Sequence, residues 1–593
     1  MNRDDMVKEE LRRFASCRFL RVAIPGTTRM YIIYEKDSWD EAGLVLSGNE
    51  SGALDTYRSN DVEVAVLGYP YDRERIAWLR ARELHDSYIQ HGKPPVDDLE
   101  GSFAILILDR SAHRSFVVID PYKIFTLFHA VLSGGRLIVS DSVAEIVPHL
   151  EYVNVERTAA LEFFCFGFVL GDKTIVDGIE AFGPGRVYTI GRGLKIGSER
   201  YWNFLDGTGA DAAPDELIDA FNAHVENGLS LSERISMPLT GGLDSRTVLS
   251  ACMEEKDVLH CYTHGLGASD DVEIARSIAR RFGISYDYYE IGDDLIGNIP
   301  SIARSISPRC DGFLNTVTSA HFINSYERES EHGDLFFSGI GGELMRSYYL
   351  PPGSERIETQ SAFASAIRRK IQLGTDLSVF RVLGAEGARD RLDLSVQEQL
   401  SRYGTDDRGA LAESFYLENR IGNFLSTSMR LLGGYFKTFN PFLERDMLQL
   451  IPGMPSDDKA GGRLLKRIIV NNSPDLAGIL MDRARIIDSS NKRAMAKHLC
   501  ARPIVLSKIY ANKLTGRRLF NFAFTDYDGW LKRYHRDFVL ETLDYDKMLL
   551  NDLFDRDRLR DLKARFLDTR SDLLGFVTNI MSAEIFMRSL NGV

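Results

Sequence analysis

The sequence predicts an α/β protein in two parts. Residues 1–205 read as a layered α+β domain rich in strands, and residues 206–593 as a parallel-sheet domain with a helical C-terminal part. Three observations carry this. Short apolar runs set off by Gly and Pro fill the first part, strand-like and helix-like runs alternate after residue 235, and beyond about residue 355 the pattern is almost wholly helical.

The strand-like runs of the first part are "VEVAVLGY", "SFAILILD", "SFVVID", "RLIVSD" and "RVYTIG". "FLDGTGADAAPDEL" follows as a linker into a helix, because Asp, Gly and Ala crowd together there. Ile235 to Leu239 then reads as a short buried strand, and Thr247 to Met253 as the apolar face of a helix. "VLHCYTHG", "SDDVEIARSIARRFG" and "SYDYYEI" continue the alternation, and "GDLFFSGIGGEL" repeats the step from strand into glycines. Alternating β and α elements imply a parallel sheet whose ligand loops lie at the carboxyl edge.

Between that first strand and its helix stands only Thr240-Gly241-Gly242-Leu243-Asp244-Ser245. So tight a turn predicts bare backbone N–H groups at a helix N-terminus, where positive partial charge gathers. Glycines let the backbone approach a ligand with no Cβ in the way. The fitting guest is a phosphate or pyrophosphate. The turn lacks the Lys and Ser/Thr that end a Walker A loop, and it is not G-x-G-x-x-G.

Composition narrows the class. A formal net charge of -13 argues against nucleic-acid binding, and 44% hydrophobic with 26% charged residues suits a globular chain of several cores. Six scattered cysteines without a C-x-x-C pair fit reduced thiols. The charged start "MNRDDMVKEELRRFASCRFL" has no signal-peptide core, and no apolar run has the length of a bilayer span. The expectation is a cytoplasmic protein that uses no membrane. Between Asp488 and Asp526 there are eight Lys and Arg and no acid, which reads as solvated helix or as a basic rim for phosphates or an acidic peptide.

The 240–245 run resembles the pyrophosphate loop of ATP pyrophosphatases, Ser-Gly-Gly-x-Asp-Ser, with Thr240 keeping the hydroxyl. "FFSGIGGELMRSYY" (336–349), "NPFLERDML" (440–448) and "LLKRIIVNNSPDLAGILMDRAR" (464–485) resemble, in order, further segments of the asparagine synthetases and their relatives. "LEGSFAILILD" and "GPGRVYTI…RYW" look like that family's N-terminal glutaminase (Ntn-type) domain. The resemblance implies a degenerate glutaminase-like domain followed by an ATP pyrophosphatase domain.

The chemistry it implies is an ATP-dependent ligation. A carboxylate becomes an acyl-adenylate with release of pyrophosphate, and an amine, on a small molecule or a peptide, then displaces AMP. ATP and Mg²⁺ are the implied cofactors, with biosynthetic proteins as expected partners. By match to the family, Asp244 and Glu343 are the metal ligands, and Lys466 and Arg485 the catalytic cations. Thr240, Gly241, Gly242, Asp244, Ser245, Ser338 and Gly339 would cradle the phosphates, and backbone groups of Pro238, Leu239 and His264 would meet adenine.

Two departures matter. Ile340 falls on the family's first Glu of the second loop, and an isoleucine does no acid–base work; Glu418, in "YLENR", reads first as a helix-surface carboxylate and second as a base supplied from elsewhere. The family's glutaminase uses a cysteine exposed as the second residue, whereas here Asn2 stands there and the first cysteine is Cys17. No glutamine hydrolysis is expected. Relatives without that cysteine, the β-lactam synthetases and lasso-peptide cyclases, draw the amine from the substrate itself. An ammonia-dependent asparagine synthetase and a non-catalytic nucleotide binder are the alternatives.

Overall fold

The computed structural model describes residues 29–35, 44–47, 53–59, 61–207, 212–267, 269–515, 524–568 and 572–592. Asn2 and Cys17 lie outside them, as do the arginines 517 and 518 of the basic stretch.

The front half is a sandwich of two antiparallel sheets. One has five strands in the order Glu180–Ala181, Phe128–Leu132, Arg136–Ser140, Arg29–Tyr34, Val45–Ser47. The other runs Ile196–Arg200, Arg186–Ile190, Arg114–Ile119, Leu99–Asp109, Val62–Asp72, Leu54–Arg58, with Ala77–Trp78 beside Val62–Asp72. Strict alternation divides the second sheet's faces. Ala65, Leu67, Tyr69 and Tyr71 face the main core, while Val62, Val64 and Val66 face the helix Ala81–His91 through Ala81, Leu84 and Tyr88. This layered arrangement is the strand-rich α+β front part of an α/β fold, as the sequence predicts.

Behind it lies a five-stranded parallel sheet in the order Ser285–Glu290, Leu259–Gly265, Ile235–Pro238, Leu335–Phe337, Lys437–Phe439. The chain starts at the central strand, fills one side, then crosses to the other. The loops after Ile235–Pro238 and Leu335–Phe337 therefore diverge, and the crevice between them is the sheet's topological switch point. The helix Asp270–Phe282 shows why such elements form: Val272, Ala275, Ile278 and Ala279 make one buried stripe, acids occupy its first turn, and Gly283 ends it at φ 67°.

The remaining chain is largely helical, as expected, but the strand Lys437–Phe439 is an addition. The helix Leu574–Leu590, buried on most sides, returns to the front half, where Asn579 donates to the Phe163 and Phe164 carbonyls at 2.9 and 3.2 Å. One hydrophobic core runs through both halves, from Met30 to Met587. Among the described residues no helix is long and apolar enough to cross a membrane.

Candidate active site

The strand beginning at Ile235 ends at Pro238, one residue earlier than expected, and Leu239 already belongs to the turn. Leu239 spends its N–H on the Tyr262 carbonyl (2.8 Å), and its own carbonyl accepts from the Thr263 hydroxyl. The helix Asp244–Ala251 follows at once.

The turn differs from a bare nest. Thr240 N–H donates to Ser245 Oγ (3.1 Å), Gly242 N–H to Thr240 Oγ1 (3.2 Å) and Gly241 N–H to Asp271 Oδ1 (2.9 Å). These bonds fix the turn before any ligand arrives. The amides of Asp244, Ser245 and Arg246 have no acceptor among the described residues, so the donors left open sit at the helix N-terminus.

The second loop closes onto the first. A Cβ on Gly342 would stand 2.6 Å from Asp244 Oδ1, so only glycine permits this approach, and Gly341 needs its positive φ of 102° to turn the chain there. Ser338 is buried and donates its N–H to the Phe439 carbonyl (3.0 Å), while Gly339 faces Asp244 and Ser245. Further along, Ser347 donates to the buried Glu413, which also pairs with the buried Lys459 at 2.7 Å.

Asp244 and Glu343 meet across the crevice on a common cation. Arg346 approaches Asp244 Oδ2 at 2.8 Å and Glu343 Oε1 at 3.4 Å, and Tyr416 donates its hydroxyl to Glu343 Oε2 at 2.8 Å. Asp244 Oδ1 is buried with no hydrogen-bond partner. Burial pushes the Asp244 carboxyl up to about 7, and Glu343 adds to the rise while Arg346 opposes it. Two converging carboxylates with an orphaned buried oxygen are a donor set that fits Mg²⁺.

The expected cations come from one side. The helix Arg463–Asn472, which carries Lys466, packs on the helix Asp244–Ala251 and on the turn Leu344–Arg346. Lys466 is half-buried and has no ion-pair partner among the described residues. Burial holds it below the usual lysine range, and the nearby Arg485 and Arg463 charges push the same way. Arg485 is tied to Asp482, whose N–H donates to the Gly241 carbonyl (3.2 Å). The fully buried Arg246 secures this segment by donating to the carbonyls of Ile479 (2.9 Å) and Leu480 (2.8 Å).

Two side chains near the expected set face other groups. The half-buried His264 ring packs among His321, Phe322 and Phe524 with Nδ1 on Ser325 (2.9 Å), and desolvation lowers its pKa to about 4. Glu418 faces the front half and pairs with Arg200 at 3.6 Å, so it is neither a helix-surface carboxylate nor part of the Asp244–Glu343 cluster. Arg346, Tyr416 and Arg246 escaped sequence reasoning. Arg346 stands inside the second motif and Arg246 directly after the first, so position alone offered a signal.

Residues 83–202 match the family described as "Glutamine amidotransferase domain", and residues 216–419 match "Asparagine synthase". The second match contains Asp244 and Glu343, whereas Lys466 and Arg485 lie beyond it. The glutamine-hydrolyzing asparagine synthetase of Pongo abelii is 22% identical over 330 residues, covering 50% of this chain and 54% of that protein. That of Homo sapiens is 22% identical over 332 residues, with the same coverage. Asparagine synthetase 1 of Bacillus subtilis is 21% identical over 242 residues, or 40% of this chain and 37% of its own length. The chain thus spans about half the length, or less, of these curated relatives. The two matched families, in this order, together with the paired loops at the switch point, lead to one conclusion: at low identity, the chain belongs to the asparagine synthetase family.

Proposed function

We propose that this protein is an ATP-dependent amide-forming ligase that activates a carboxylate as an acyl-adenylate, releases pyrophosphate, and then lets an amine displace AMP. The observation that carries the reading is the convergence of Asp244 and Glu343, from two loops at the switch point, with Asp244 Oδ1 buried and unpaired. Asp244 and Glu343 would hold Mg²⁺, which when bound offsets charge on the phosphate oxygens. The open amides of Asp244 to Arg246 would take the leaving pyrophosphate. Lys466 would counter the charge that grows in the transition state.

Several features favour an amine that belongs to the substrate, as in a lasso-peptide or β-lactam type of cyclisation. Ile340 stands where the resemblance puts the family's first Glu of the second loop, while Glu343 keeps the later carboxylate. Among the described residues of the front half the single cysteine is Cys165, which is fully buried with its thiol pKa raised by that burial. A buried neutral thiol is no nucleophile. A cytoplasmic location fits its free cysteines. A second reading, a nucleotide binder without turnover, is favoured by Arg346, which already pairs with both carboxylates and offsets part of their charge.

The test combines binding with exchange. Labelled pyrophosphate should enter ATP in the presence of Mg²⁺ and an amine-blocked carboxylate, here tried with aspartate and peptide acids, and no glutamate should be released from glutamine. Asp244→Ala should abolish exchange and MgATP binding while circular dichroism stays native. Lys466→Met should slow exchange about 10²–10³-fold, roughly 2.7–4 kcal/mol, with little change in ATP affinity. ATP binding that survives in Asp244→Ala would overturn the site. Normal ATP binding without exchange for any carboxylate tried would favour the second reading.

A further inference from the structure

The amino-terminal end of the same parallel sheet, opposite the edge that carries the two loops, holds a second group of ligating side chains. His260 is the second residue of the strand Leu259–Gly265, Asp287 the third of Ser285–Glu290, and His332 lies between the helix Ala320–Glu329 and the strand Leu335–Phe337. The two imidazoles stack with centroids 3.9 Å apart and planes 7° apart. Asp287 Oδ2 stands 3.4 Å from His260 Nε2 and 3.3 Å from His332 Nε2.

Behind His260 lies a wholly buried carboxylate. Glu329 Oε1 is 2.7 Å from His260 Nδ1, and Oε2 accepts from the Tyr289 hydroxyl at 2.7 Å. An ionised carboxylate only accepts, so the proton of neutral His260 is assigned to Nδ1. Its Nε2 then carries the lone pair, with Asp287 Oδ2 3.4 Å away, and the stacked His332 ring has only to swing out of the stack for its own in-plane lone pair to converge there. Three acceptor atoms, all within 4.8 Å of one another, call for a cation between them.

Two of the three spacings suit a metal ion, and a turn of the half-exposed His332 ring would supply the third. Tetrahedral zinc with bonds of about 2.0–2.2 Å sets its ligand atoms roughly 3.3–3.5 Å apart, and the Asp287 contacts fall there. A ligating histidine whose other nitrogen is held by a carboxylate is the usual outer-sphere arrangement at such sites. The third ligand is pre-positioned, because Arg234 donates to the carbonyls of Glu331 (2.7 Å) and His332 (3.2 Å), and His332 N–H donates to the Glu329 carbonyl (2.9 Å). The Asp287 and His332 side chains are 48% and 39% exposed, which leaves an entry path and room for a water as fourth ligand.

We propose that His260, Asp287 and His332 bind one divalent transition-metal ion, zinc foremost, with Glu329 orienting His260. The ion clasps two strands and the connection into a third, at the end of the sheet away from the nucleotide loops. Its role is structural, and it does not depend on the ligase reading.

The test uses untagged full-length protein, stripped with a chelator and reloaded with Zn²⁺. About one zinc per chain should survive desalting, and Co²⁺ in its place should give the visible absorption of four-coordinate cobalt. Thermal unfolding should shift upward with zinc and return on chelation. Asp287→Asn and His332→Ala, both at exposed side chains, should each fall from about one ion to none, whereas Asp244→Asn should keep it. No retained ion in the native protein would overturn the proposal and leave an imidazolium shared by two carboxylates. An ion count unchanged in His332→Ala would overturn it equally.

Discussion

At Gly342 a single missing methyl group decides whether the two loops can meet. A Cβ there would sit 2.6 Å from Asp244 Oδ1, closer than any real contact allows, whereas at Gly339 the nearest atom is 3.8 Å away. Gly342→Ala should therefore push the carboxylates apart and lower MgATP affinity at least tenfold, about 1.4 kcal/mol, with the fold intact. Gly339→Ala tests the protein's own packing at the same loop and should leave its thermal stability nearly unchanged. Titration calorimetry with MgATP, beside a thermal melt, separates the two. The sequence marked Asp244, Glu343 and Lys466 because their neighbours formed motifs. It did not mark Arg346 or Tyr416, whose roles arise from where the second loop and the π-helical segment Tyr416–Leu425 bring them.

Among the elements, those with a full repeat were legible. The helix Asp270–Phe282 and the strand Ser285–Glu290 follow their runs closely, because amphipathic stripe, acidic start and Gly stop agree. The strand Lys437–Phe439 escaped because three residues carry no period, and its place is set by pairing with Leu335–Phe337. Part of the basic stretch forms the helix Lys492–Thr515, with Leu499, Ile504 and Tyr510 exposed. Burial inside elements also has a pH signature. His224, on the helix Pro214–Ser230, is pushed down to about 4 by burial, with Nε2 on the Asn440 carbonyl (3.4 Å). The unfolded chain binds that proton near 6.5, so this contribution is present above pH 6.5 and is lost as pH falls toward 4. The loss is on the order of 3 kcal/mol. Urea midpoints at pH 7 and 5 should show it, and His224→Gln, which keeps a donor there, should flatten the dependence.

For the whole molecule, the join between halves is polar as well as apolar. Arg445, from the Pro-Phe-Leu segment, is buried and donates to Glu100 and to the carbonyls of Val96 (3.2 Å) and Asp97 (2.8 Å), while Asn440 reaches Ser102 at 2.8 Å. Removing one partner of a buried ion pair leaves an uncompensated charge, so Arg445→Ala should cost about 3–5 kcal/mol in chemical denaturation. Arg445→Leu combined with Glu100→Gln should recover a large part of it. A drop under about 1 kcal/mol would mean that the front sheets are held by the common core alone.

That common core has a consequence for how the protein is made. The helix Arg157–Phe166 finds its partner in Leu574–Leu590, roughly 400 residues later in the chain. At about 5–20 residues per second of synthesis, the front half waits roughly 20–80 s on the ribosome before that face is covered. During the wait its apolar side is open to holdase chaperones, and to the same face of neighbouring nascent chains on a crowded message.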